Sequence, residues 1–513
     1  MIAALRARRQ RKAVRRSMHC SVLLAGLLLC TQISCSGGAN TSEGFAPTPV
    51  LSRVIPASDD TLAYPSWTLQ FVDSEELVGG DGRGVNGFDG DTGTLWHTQW
   101  VKAAPPPPHE IQIQLGGPAT LNGFVYVPRQ DGSPNGMIKD YEFYVSTDGV
   151  NWGSPVATGT FANTATAKQV TFAPTTGQYV RLRALSEVNG LPYTSMAELY
   201  VQGSCIAPAV KLATPRSLAL QTSTTLNVVA NACLDSVTQS SWGVRLVLDG
   251  GPSQGGAQVD TYTPPFQAQF ANLSQAEHRV DAYIIDNTGT QVNGTSTHDQ
   301  ANPVGIGNSF VAMGDSITFG FGDNVASDDL SQDGRNTGGG YEPVLNNLRT
   351  TAKHYPQTVV NEGVGQSQSI DGVSLIPILL ARNPTAQYFL IEYGTNDAGT
   401  PVPSGLGLHP GDAGYAGSFK DNMQRIITAV KTAGKLPYLG KVPYSIGQYL
   451  ARNTLYQTYN QVIDQLVAEN TITVTPPDFY TWFQTHQTQF SDDLHPNGIG
   501  YQSMANLWFG ALP

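Results

Sequence analysis

Charge is scarce in this chain: only 13% of its 513 residues are Asp, Glu, Lys or Arg, while glycine (54) and proline (33) are plentiful. That composition excludes a long charged helical protein and fits several β-rich modules broken by turns, each with its own core. Cysteine is scarce too. Of five, Cys20, Cys30 and Cys35 fall in the first 35 residues, which leaves Cys205 and Cys233. Two thiols are too few for a structural metal site and are expected to pair with each other. Long apolar runs are missing as well, since "SVLLAGLLLC" falls short of the roughly 20 residues that a membrane-spanning helix needs.

The segment before that run is strongly basic. Arg6, Arg8, Arg9, Arg11, Lys12, Arg15 and Arg16 come with no acid among them, so residues 1–35 read as a signal peptide and 36–62 as a flexible tether. "TQISCSGGANTSEG" resembles a bacterial lipoprotein cleavage site, with Ser34 before Cys35, although Gln32 departs from the usual aliphatic residue. Lipidation at Cys35 and ordinary cleavage both stay open, and either places the protein outside the cytoplasm, secreted or anchored at a cell envelope. Beyond the seven bases, 22 of the 29 Lys and Arg face 40 acids, which excludes nucleic acid as a main partner and leaves a lipid anchor as the expected route to a membrane.

Residues 63–203 alternate short β-branched or aromatic runs with turns, the pattern of a β-sandwich. "NGFDGDTGTLWHTQW", "VPRQDGSPNGMIKDYEFYVSTDGVNW" and the closing "AELYV" resemble a discoidin, or coagulation-factor type C, domain of the carbohydrate-binding kind, a jelly-roll sandwich. An EF-hand reading of the acidic turn fails, because Gly93 and Trp100 stand where ligands are required. The resemblance implies instead a structural Ca²⁺ held by Asn86, Asp89, Asp91, Thr94, Ala197 and Glu198, the first and fifth through backbone oxygens. It also implies core positions for Trp96 and Trp152. Arg129, Gln130, Asp131 and Asn135 lie on a polar loop of the sort that grips sugar hydroxyls, or is simply solvated.

Residues 204–303 carry a second alternating set, "TTLNVVANACL", "WGVRLVLDG" and "HRVDAYIID", expected to form an immunoglobulin-like β-module that acts as a spacer. Its "GPSQG", Gly251 to Gly255, copies the Gly-x-Ser-x-Gly elbow by accident, since the elbow needs a helix after the serine and "GAQVDTYTPP" cannot form one.

From 304 to 513 strand-like and helical segments take turns, implying a parallel sheet covered on both faces by helices. Four blocks fall at strand ends or before the final helix, where such folds collect reactive groups: "GDSIT", "NEGVGQS", "YGTND" and "DDLHPNG". In this order they resemble the SGNH family of GDSL-type serine esterases, which implies a three-layer α/β hydrolase needing no catalytic cofactor. Ser316 becomes the expected nucleophile, for a serine hydroxyl attacks only when a base takes its proton. His495 is the expected base, oriented by Asp492 three residues earlier, with Asp493 as the competing orienter. Ser316 and Asn396 are the expected oxyanion donors. Gln366 stands where the family usually has its oxyanion glycine, so Gly365 takes that role if the loop has shifted by one residue. His409, in a glycine-rich insert, is read as a solvated residue or a substrate contact.

Together these readings describe an exported serine esterase acting on an acylated polysaccharide or small ester, with a carbohydrate ligand at its N-terminal module. A general lipase or arylesterase and a non-catalytic adhesin are the alternatives.

Overall fold

The computed structural model describes residues 67–77, 80–101, 103–234 and 241–513. The signal segment 1–35, Cys35 and the tether 36–62 lie outside the described residues. Three modules, two of β-sheet and one α/β, succeed one another along the rest.

The first module is built on one six-stranded antiparallel sheet. Strand His109–Val127 pairs with Thr68–Val72, Lys168–Ala184 and Glu198–Cys205, and Asp140–Ser146 joins Lys168–Ala184 to Ala157–Thr160. The alternation seen in the sequence is the reason: in Ile111, Ile113 and Leu115 every second side chain turns inward. Aromatic rings fill the interior, with Phe124 stacked on Phe143 and Tyr141 on Phe161, both at 4.1 Å. Trp96 is fully buried among them. Trp152 is not, against expectation, because it sits in the turn after Asp140–Ser146, half-buried under the Arg181 guanidinium at 4.9 Å.

The second module packs a five-stranded sheet against a three-stranded one, with Val228, Leu246, Val280 and Ile284 between them. The Gly251–Gly255 segment is a hairpin turn leading into strand Ala257–Thr261, and no helix comes after it. Cys205 and Cys233 form the disulfide and bind the last strand of the first module to strand Leu226–Cys233 of the second.

In the third, four parallel strands lie in the order Gln357–Gly363, Asn308–Gly314, Tyr388–Glu392, Leu436–Leu439. Strand Asn308–Gly314 shows why both faces need cover. Phe310 and Ala312 pack toward α2 (Glu342–Lys353) and α7 (Gly498–Ala511), while Val311 and Met313 pack toward α3 (Ser369–Arg382), α4 (Phe419–Thr432) and α5 (Asn453–Glu469). α3 starts at Ser369, six residues before the apolar run that opens at Leu375, because Gln368 and Asp371 form a capping box.

The second module is more than a spacer. Its strand His298–Ile306 continues across Gly307 into Asn308–Gly314, and a Cβ on Gly307 would fall 1.8 Å from the Pro356 carbonyl oxygen. Arg335, in the insert after Ser316, reaches back to it. Its guanidinium donates to both carboxylate oxygens of Glu277 at 2.7 and 2.6 Å, to Asp333 at 3.1 Å and to the Leu218 carbonyl at 3.1 Å, with the Arg335 side chain only 2% exposed. Glu277→Ala strands a buried guanidinium with one carboxylate, so thermal unfolding is expected to show a loss of about 1–3 kcal/mol. A variant as stable as the parent would mean that the pair does not hold the insert.

Candidate active site

Ser316 is the first residue of α1 (Ser316–Phe319), a single helical turn at the carboxyl end of strand Asn308–Gly314. Two glycines make the turn tight enough. A Cβ on Gly314 would meet Thr318 Oγ1 at 2.1 Å and the Glu392 carbonyl oxygen at 2.5 Å; Gly320 ends the turn at φ +91°, its backbone against Gly339. Asp315 caps the helix by accepting from the Ile317 N–H at 2.9 Å. Below the turn, burial and then the Asp397 charge push the Asp315 carboxyl up to about 7, and burial also raises Asp397 and Glu392.

His495 arrives on the loop before α7. Asp492 shapes that loop, since one carboxylate oxygen accepts from the backbone N–H of Leu494 and of His495, both at 2.7 Å, and the other meets His495 Nδ1 at 2.8 Å. Burial would raise the Asp492 carboxyl, but these amides and the imidazole hold it below its ordinary value. An ionised carboxylate only accepts, so Nδ1–H donates to it and Nε2 is left as an acceptor. Nε2 lies 2.9 Å from Ser316 Oγ, and the Phe321 ring packs 4.6 Å from the imidazole. Asp493 turns away from the imidazole. It accepts from the Gln448 N–H at 3.1 Å in the turn Gly447–Arg452, a partner that no local pattern in the chain points to.

The second and third blocks meet beside the serine. Asn361 accepts from the Gly363 N–H and donates to the Thr318 carbonyl, tying the second block to the nucleophile turn. Asn396 donates one amide hydrogen to the Ser367 carbonyl at 3.0 Å, which fixes the direction of its side chain. In the loop between, Gln366 has φ +65°, whereas Gly365 has an ordinary backbone. The left-handed backbone thus falls at Gln366, one residue after Gly365. His409 is exposed, 3.9 Å from Glu469 and on another loop.

In the first module the expected cation ligands surround one turn. Thr94 Oγ1 lies 2.8 Å from Asp89 Oδ2 and 3.5 Å from the Asn86 carbonyl oxygen; Glu198, fully buried beside Ala197, accepts from the Gly90 N–H at 2.5 Å. Asp91 caps the Gly93 N–H and offers its carbonyl oxygen to Thr94 at 2.9 Å. All of these donors are oxygen, as a hard cation requires. On the polar loop, Arg129 is held by Asp131 and by the Asn135 carbonyl at 2.8 Å, whereas Gln130 folds back onto the carbonyls of Pro128 and Ala165. Sequence reasoning missed the neighbours of that loop: His97 lies edge-on to Trp100 at 4.4 Å, with Tyr193 at 5.9 Å and the charges of Arg129 and Asp131 within reach. Trp100, 37% exposed, offers a face to solvent. The run "LWHTQW" was the available signal, but Tyr193 joins it only through folding.

Comparison with known proteins finds partial matches to this chain. A sialidase of Micromonospora viridifaciens is 44% identical over 133 residues, which are 26% of this chain and 20% of that protein. A galactose oxidase of Gibberella zeae is 45% identical over 168 residues, 32% of this chain and 24% of that protein. The chain therefore spans a quarter or less of these curated relatives. Among solved structures, the psychrotrophic esterase EstA from Pseudoalteromonas sp. is similar with a TM-score of 0.31 and 15% identity, over 40% of this chain and 96% of that one. The family models that match are the F5/8 type C domain over residues 71–199 and the GDSL-like Lipase/Acylhydrolase family over residues 312–503, so the chain joins a discoidin-type module to a GDSL-type acylhydrolase domain.

Proposed function

We propose that this protein is an exported serine esterase that removes O-acyl groups, acetyl foremost, from a glycan held by its discoidin-type module. The observation that carries the reading is the unbroken relay from Ser316 Oγ through His495 to Asp492, at 2.9 and 2.8 Å. Ser316 Oγ attacks the ester carbonyl as its proton passes to His495 Nε2, and the negative charge grows on the carbonyl oxygen. Backbone N–H groups of Ser316 and of the 365–366 loop, with the Asn396 amide, receive that charge. His495 then protonates the departing sugar hydroxyl, and water, deprotonated by the same imidazole, releases the acid and restores Ser316. The glycan part is supported by the carbohydrate-directed names of the sialidase and galactose oxidase relatives and by the His97, Trp100 and Arg129 cluster, which combines an aromatic face with polar donors. Export rests on the basic and apolar N-terminal segment, with release or an anchor at Cys35 as its two outcomes.

Ser316→Ala is expected to abolish hydrolysis of p-nitrophenyl acetate and of acetylated oligosaccharides while thermal unfolding stays near the parent's. Turnover at the parental rate would remove the serine from the mechanism, and a parent protein inactive on every ester would favour the adhesin reading.

The two aspartates separate on one activated ester. Asp492→Asn should cost on the order of 10⁴ in turnover, because the wrong tautomer of His495 then faces Ser316. Asp493→Asn touches only the Gly447–Arg452 turn and should leave most of the rate; the reverse ranking would overturn the assignment.

We further propose Ca²⁺ at Asn86, Asp89, Asp91, Thr94, Ala197 and Glu198, where it would clip the early and late segments of the module together. Chelation should then lower the unfolding temperature of that module in calorimetry while a small soluble ester is still hydrolysed. A transition indifferent to chelator and to added Ca²⁺ would refute the site.

A further inference from the structure

The segment after the nucleophile turn is fastened to the histidine loop at several points. The Phe321 N–H donates to the Ser316 carbonyl at 2.9 Å, and the Phe321 carbonyl accepts from the buried Tyr501 hydroxyl at 2.8 Å. Gly322 follows at φ +90°, packed so closely on the histidine loop that a Cβ there would run into Ser491 Oγ. Asn324 Oδ1 then accepts from the Gly498 N–H at 3.0 Å, at the start of α7. The backbone that carries the Phe321 ring is therefore tied both to the turn of Ser316 and to the loop of His495.

That order does not serve to bury the ring. Phe321 is 54% exposed, and its ring meets the His495 imidazole at 4.6 Å between centroids, inclined by 57°. A phenylalanine left this open gains little from burial within the chain, and its fixed backbone leaves it few conformations to lose when a ligand covers it. In the proposed reaction His495 Nε2 hands its proton to the oxygen of the departing alcohol, so that oxygen comes within hydrogen-bond reach of the imidazole. The group attached to it then lies beside His495, on the side that the Phe321 ring borders. Phe319, 57% exposed two residues earlier, serves a different space. It lines a cavity of about 320 Å³ along the sheet-edge strand Gln357–Gly363, together with Asn361, Gly363 and Leu77 of the first module.

We propose that the Phe321 ring is the platform for the alcohol part of the ester, a pyranose in the proposed reaction, whose C–H face rests on the ring while its oxygen receives the proton from His495. The pyranose rests on the proposed action on a glycan. Selectivity on the alcohol side is thereby set at Phe321, independently of the acyl group.

The test compares kcat/KM of the full chain on ethyl acetate, on cyclohexyl acetate, whose saturated ring has the size of a pyranose, and on acetylated methyl pyranosides. Phe321→Ala is expected to lower kcat/KM for the two ring alcohols about tenfold more than for ethyl acetate, and Phe321→Tyr to restore most of that difference. The ratio of ethyl butyrate to ethyl acetate should stay parental in Phe321→Ala. Phe319→Ala, which removes a ring of similar exposure, should keep the parental ratio of cyclohexyl to ethyl acetate. Each ratio is taken within one variant, so a partly unfolded preparation does not move it. Equal losses on ethyl and cyclohexyl acetate would reduce Phe321 to a support for His495 and overturn the platform. The same shift of ratio in Phe319→Ala, or a change confined to the butyrate-to-acetate ratio, would overturn it too. Hydrolysis of acetylated pyranosides with an unmoved ratio would leave the proposed function standing and remove the platform, whereas a ratio that moves on cyclohexyl acetate with no acetylated pyranoside hydrolysed would do the reverse.

Discussion

The hydrogen bond between Ser316 Oγ and His495 Nε2 joins side chains 179 residues apart, and the hydrolase domain is arranged so that the bond can form. One end is placed by a buried strand and a one-turn helix that only glycine at 314 permits; the other by a loop whose backbone is wrapped around the Asp492 carboxylate. Neither end has much freedom. A relay of this kind works when its groups are already aligned before the substrate arrives, because ordering them during the reaction would cost rate.

The same demand explains why the modules are not strung loosely. The insert after Ser316 would be a long glycine-rich loop if left alone, yet Arg335 fastens it to Glu277 of the second module. A disulfide fastens the second module to the first. The first returns to the hydrolase domain through Leu77 and Asp81, beside the cavity at the sheet edge. A binding module held this way presents its ligand from a constant direction, which a flexible tether cannot do.

Much of this was legible beforehand. Strand Asn308–Gly314 shows in the sequence as the apolar run "SFVAM" just before the GDSIT block, because a strand buried on both faces announces itself in a few consecutive residues. The fourth strand, Leu436–Leu439, and α6 (Phe479–Thr485) are too short to show a period in the sequence. Trp152 was misplaced for a similar reason: an aromatic in a turn is covered by whatever folds over it, here Arg181, and nothing adjacent in the chain says so.

What the sequence determined by itself was the set of reactive groups and their order, since the four blocks, the three-residue spacing of Asp492 and His495 and the two remaining cysteines are local facts. Only the tertiary structure decided where Asp493 points, that the left-handed residue of the loop after Gly363 is Gln366, and that Tyr193 joins His97 and Trp100. Each of these depends on distances between segments brought together by packing, and a linear pattern carries periodicity and spacing but not the direction in which a side chain finds its partner.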